Sequence, residues 1–152
     1  MKLREKILSI TLFLLLILSY VFLSTTKYDQ VDIGDALSFA MEGLSENQEL
    51  IVLNSKNPFN FYDILNNLDE VSNQEVYVII TYPDVKKDKY PVVVGFAGSL
   101  GWGEHHKKYL DKYLEMGIAT ATVHSFKSRG VSSTVGEQVS VTIAMMIHDG
   151  YM

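Results

Sequence analysis

The second half of the chain alternates short apolar runs with amphipathic stretches. Val76 to Tyr82 (VYVIITY) is β-branched and aromatic and predicts a strand. A charged turn opened by Pro83 follows. Pro91 to Phe96 predicts a second strand, apolar almost throughout, as suits a strand covered on both faces. Gly98 to Gly103 reads as a loop. Glu104 to Met116 then predicts a helix, with Tyr109, Leu110, Tyr113 and Leu114 as its apolar positions and Gly117 ending it. Ile118 to Val123 predicts a third strand, and Ser125 to Gly136 a polar loop. A second helix is predicted from Glu137 onward, with Val141, Met145 and His148 or Asp149 at helical spacing. Strand, helix, strand, helix in this order predicts an α/β fold: a parallel sheet with right-handed crossover helices.

Upstream the pattern is weaker. Ile33 to Leu44 carries apolar residues at 33, 36, 37, 40, 41 and 44, which fits a short amphipathic helix. Leu50 to Leu53 reads as a short strand. Phe61 to Leu68 reads as a helical turn with Phe61, Leu65 and Leu68 on one side. Ser24 to Asp32 is a polar tether. Ahead of it, Ile7 to Leu23 is a 17-residue run without a charge, behind Lys2, Arg4 and Lys6. A cleaved signal has an apolar region of about 7–15 residues, and a spanning helix has about 20. The segment falls between, so it predicts an N-terminal hydrophobic helix acting as a retained signal anchor or as a cleaved signal peptide. Either way the basic end stays inside and the rest is exported, to the periplasm or the extracellular space. The organisation is therefore a signal segment at 1–23, a tether and N-terminal extension at 24–56, and the α/β portion at 57–152.

Composition narrows the function classes. Setting aside Lys2, Arg4, Lys6 and Glu5 turns 13 basic and 18 acidic residues into 10 and 17, a net charge of −7 for the body. An acidic body without a basic patch argues against nucleic acid as a partner. The chain has no cysteine, which excludes disulfides, thiolate metal sites and a thiol nucleophile within it. His105 and His106 are neighbours on a helix and point about 100° apart, so they do not chelate one metal together. Solvated or capping roles suit them better, and no metal is expected.

Several segments resemble the dienelactone hydrolase family of the α/β-hydrolase superfamily. They are Asn57-Pro58-Phe59, Phe61-Tyr62-Asp63-Ile64-Leu65, Tyr82-Pro83, Tyr90-Pro91-Val92-Val93-Val94, Gly98-Ser99 and Ser125-Phe126-Lys127-Ser128-Arg129-Gly130-Val131. The resemblance covers roughly residues 57 to 152. It implies a partial α/β-hydrolase that cleaves ester, lactone or related acyl bonds with a serine or cysteine nucleophile, and it implies no cofactor. Two positions depart from the family pattern: Ala97-Gly98 stands where His-Gly is common, and His124 stands where the family has an aspartate. By resemblance, the nucleophile elbow and its acid and base belong beyond Met152, so the 152 residues by themselves are expected to be inert.

The candidate site residues follow from that reading. Gly98, Ser99 and Leu100 form the expected oxyanion loop, acting through backbone N–H groups. Ser99 lies near a G-x-S-x-G pattern, but an elbow needs a helix directly after the serine, and Leu100-Gly101-Trp102-Gly103 intervenes. Trp102, His124 and Arg129 are candidate substrate-binding residues. Each also has a structural reading: packing for Trp102, a satisfied histidine for His124, and for Arg129 a brace to a carboxylate such as Glu137. Two other accounts remain open: a non-catalytic membrane-tethered binding module, and a truncation without function of its own.

Overall fold

The computed structural model describes residues 10–18, 30–137 and 139–152. Residues 10–18 are helical (α1) and exposed along their length. The rest of the predicted apolar segment, 7–9 and 19–23, lies outside the described residues, as does most of the tether. Among the described residues no helix is long and apolar enough to cross a membrane.

From residue 34 the elements run α2 (Gly34–Glu42), β1 (Gln48–Lys56), α3 (Phe61–Asn66), β2 (Asn73–Thr81), β3 (Val92–Phe96), α4 (Glu104–Glu115), β4 (Ala119–Val123) and α5 (Ile143–Tyr151), with a 3-10 turn at Lys127–Arg129. The strands form one mixed sheet in the order β1-β2-β4-β3.

The expectation of a parallel sheet is corrected here. Only β3 and β4 are parallel, while β1–β2 and β2–β4 are antiparallel. The reason lies in the connections. β3 and β4 are joined by α4, a full crossover. Between β2 and β3 there is only the helix-free stretch 82–91, and a parallel return needs a dozen or more residues. β2 therefore runs opposite to β3 and β4.

β1 is longer than the apolar core of residues 50–53 suggested. It pairs with β2 over nine positions, from Gln48 opposite Thr81 to Lys56 opposite Asn73. Its polar ends are held by that ladder rather than by their own propensity. α5 starts at Ile143, six residues later than expected. Thr142 caps it, its hydroxyl accepting from Met145 N at 3.2 Å. The Glu137 carboxylate instead closes a local turn on the N–H groups of Val139 and Ser140 and on the Ser140 hydroxyl.

One core cluster joins Val76, Val78, Ala121 and Val123, with Ile51, Leu53 and Ile80 packed against it. A second joins Phe126, Val141 and Met145 below the loop that follows β4. Gly150 lies inside α5, where a Cβ would run into the Phe96 ring. β3 does not have the two covered faces its sequence suggested. It is an edge strand, and Val92, Val94 and Phe96 remain 53%, 48% and 38% exposed.

Candidate functional site

The chain from Ala97 to Gly103 leaves the carboxyl end of β3, the end at which open α/β sheets bind ligands. Residues 98–101 form a tight turn. Gly101 N donates to Gly98 O at 2.8 Å, and Gly101 sits at φ 76°, a left-handed conformation that favours glycine. The Ser99 carbonyl is fully engaged, accepting from Thr134 N at 2.8 Å and from the Ser133 hydroxyl at 3.1 Å. Among the described residues, the N–H groups of Ser99 and Leu100 have no acceptor. With its carbonyl tied back, the turn presents two free donors side by side. The helix α4 begins only at Glu104, so Ser99 is not on an elbow. His106 caps that helix, its Nδ1 accepting from Gly103 N at 3.0 Å.

Beside the turn lies a cavity of about 760 Å³. Ala97, Leu100 and Gly101 form one wall, β2 contributes Tyr77 and Ile79, and Trp102 and His124 contribute aromatic surface. Trp102 is fixed there by its indole N–H, which donates to Val123 O at 3.2 Å. His124 follows the last residue of β4 and stacks on Tyr77, with ring centroids 4.5 Å apart and planes at 15°. Burial, helped by the charge of Lys127, lowers the His124 pKa to about 4, so the imidazole is neutral at pH 7. Burial also raises the Tyr77 phenol, which stays protonated. Next to His124, Ser125 lines the same cavity, and its Oγ is buried without a hydrogen-bond partner among the described residues. A buried hydroxyl in that state is uncommon.

Arg129 is not brought to this cavity. Its side chain is 96% buried, and it donates to Asp149 Oδ2 (2.8 Å) and Oδ1 (2.9 Å), Asn57 Oδ1 (2.7 Å), Ser125 O (3.0 Å) and Lys56 O (3.1 Å). It is a brace, but to Asp149 and not to Glu137. Ser55 completes the cluster. Its hydroxyl donates to Asp149 Oδ1 at 2.6 Å and lies 2.9 Å from His148 Nδ1. A hydroxyl has one proton, and here it goes to the carboxylate, so Nδ1 is the protonated nitrogen of His148 and donates to Ser55.

Ser55, His148 and Asp149 have the residue types of a hydrolytic triad without its logic. The acid accepts from the serine instead of orienting the histidine, and an arginine neutralises it. Ser55 and Asp149 are almost completely buried, and none of the three lines the cavity. The cluster ties β1, α5 and the loop after β4 together. Sequence reasoning missed Asp149 and Ser55. A carboxylate on the apolar stripe of α5 was the available signal, because a buried charge requires a partner.

Among the described residues no group of histidine, aspartate and glutamate has the arrangement of a metal site. Comparison of the chain with protein-family models, with curated proteins and with solved structures finds no match.

Proposed function

We propose that this chain forms the oxyanion-binding side of a serine or cysteine hydrolase of the α/β-hydrolase type, similar to the dienelactone hydrolases. It would act on ester or lactone bonds outside the cytoplasm, with residues 7–23 at a membrane or in a cleaved signal. The observation that carries this reading is the turn at residues 98–101, whose Ser99 and Leu100 N–H groups are free among the described residues, with Leu100 on the wall of an apolar cavity and Ser99 on a second, smaller one. A carbonyl oxygen held by that pair would gain negative charge as a nucleophile adds, and two backbone N–H dipoles would stabilise it. Each such donor is worth about 10²–10³ in turnover. The mixed sheet supports the reading through its parallel β3–α4–β4 unit, which sets the turn at the ligand-binding end. The attacking group is not assigned to any residue of the chain.

The test is hydrolysis of p-nitrophenyl acetate and a small lactone by the protein produced from its native reading frame. Ser99→Pro deletes one donor and is expected to reduce turnover by about 10²–10³. Ser99→Ala keeps the N–H and is expected to stay near wild type. Loss of activity in Ser99→Ala would make the hydroxyl the nucleophile and overturn the assignment. If the native protein hydrolyses neither compound, the better account is a binding module. Its supporting observation is a well-formed cavity in which the Ser125 hydroxyl, next to His124, has no hydrogen-bond partner among the described residues. Carbonate extraction of native membranes tests the anchor, and release of the protein into the soluble fraction would exclude a retained one.

A further inference from the structure

The cavity has a wall from outside the α/β portion. α2, in the N-terminal extension, contributes Ala36, Phe39 and Ala40, and Gly43 follows at its carboxyl end. Ala36 and Ala40 are four residues apart and share one face of the helix. Both are small where a larger side chain would fill the space. The helix is held in place ahead of its first turn. Ile33 is 1% exposed, and the buried Gln74 amide grips Val31, its Oε1 accepting from Val31 N at 2.9 Å and its Nε2 donating to Val31 O at 3.0 Å. Gln74 Nε2 also donates to Ser128 O at 2.8 Å, so the extension is tied to the loop that carries His124 and Ser125. α2 is therefore anchored at its amino end.

The lining also describes the ligand. Its surface is mainly apolar and aromatic, and its volume lies within the range of drug-sized ligand pockets. The charged residues on it, Asp35 and Lys127, are exposed and of opposite sign. The inner polar groups are neutral: the His124 imidazole, the Tyr77 phenol and the unpartnered Ser125 hydroxyl.

We propose that α2 is the specificity wall of this cavity and that the cavity holds an uncharged, largely apolar molecule, with one polar group turned toward Ser125 and His124. Ala36 and Ala40 set the size of molecule admitted. The inference rests on the hydrolase reading only for the ligand's being an acyl compound, and not for binding itself.

The chain has one tryptophan, and it lines the cavity, so Trp102 emission reports occupancy. The probe is N-phenyl-1-naphthylamine, which is neutral and accepts energy from tryptophan. Wild type is expected to show saturable energy transfer. Ala36→Phe and Ala40→Phe, each filling the cavity, are expected to weaken it about tenfold or more. Met41→Phe adds the same ring at a position 63% exposed and off the lining, and is expected to bind like wild type. Circular dichroism checks that each variant is folded. Should one α2 variant unfold, the other and Ile79→Phe on the β2 wall decide. Wild-type binding in the filled variants, or equal loss in Met41→Phe, would overturn the proposal. Probe binding is read without turnover. Failure here with a normal Ser99→Pro effect removes the wall alone, and correct binding without hydrolysis removes the hydrolase alone.

Discussion

Two polar clusters approach each other at the loop after β4, where Ser125 and Arg129 lie four residues apart, and they differ in one respect. Around Arg129 and Asp149 every group is engaged: each guanidinium nitrogen donates, both carboxylate oxygens accept, and Ser55 bridges to His148. Around the 98–101 turn and the cavity, capacity is left over among the described residues: two free N–H groups and a buried hydroxyl without a partner, beside a neutral imidazole that reaches only Thr122, at 3.4 Å. The first cluster carries the more conspicuous residue types, including a serine, a histidine and an aspartate in contact. The second carries the unspent chemistry. Residue type therefore misleads here, and residual hydrogen-bonding capacity beside a cavity is the better guide to function.

The widest separation of the two clusters comes from Asp149→Ala. It leaves the buried Arg129 guanidinium without its counter-charge, and unfolding is expected to lose about 3–5 kcal/mol of stability. Denaturant titration measures it. The double variant Arg129→Met with Asp149→Leu is expected to recover most of that loss, because it removes both charges together. No recovery would mean that the cluster does more than balance charge.

The pocket cluster has its own signature in pH. In the unfolded chain His124 titrates near 6.5 and in the folded chain at about 4, so between those values the unfolded state holds a proton that the folded state does not. Stability is expected to be flat above pH 6.5 and to fall as pH drops from 6.5 toward 4, by up to about 3 kcal/mol. His148, also lowered by burial, acts in the same direction. His124→Phe is expected to flatten most of the slope, as measured by the unfolding midpoint across that range. An unchanged slope would place the effect in His148 and so in the other cluster.

The two serines give the finest contrast. Ser55→Ala removes the bridge and is expected to cost about 1–3 kcal/mol. Ser125→Ala removes a hydroxyl that has no partner to lose, so its midpoint is expected to stay at or slightly above wild type, with any penalty confined to ligand binding. Equal destabilisation by both would mean that Ser125 is part of the structural cluster.

Much of the second half of the fold was legible along the chain. β-branched runs at 76–82 and 118–123, and the α4 stripe closed by Gly117, are local signals, and the strands and helix appear close to where those signals put them. The turn at 98–101 was legible too, because glycine spacing after an apolar strand requires a tight connection. The direction of β2 was not read, although the short link at 82–91 bears on it. The late start of α5 was hidden by Glu137, whose carboxylate serves a local turn instead of a helix.

The sequence by itself determined the element types, the acidic cysteine-free body, the apolar amino terminus and the glycine turn, because these depend on neighbours a few residues apart. Tertiary structure alone decided which polar groups are spent. Arg129 meets Asp149 across 20 residues and Asn57 across 72, and α2 reaches the cavity because Gln74 holds Val31 across 43. Hydrogen-bond capacity is consumed by contacts in space, and no spacing along the chain records which contacts those are.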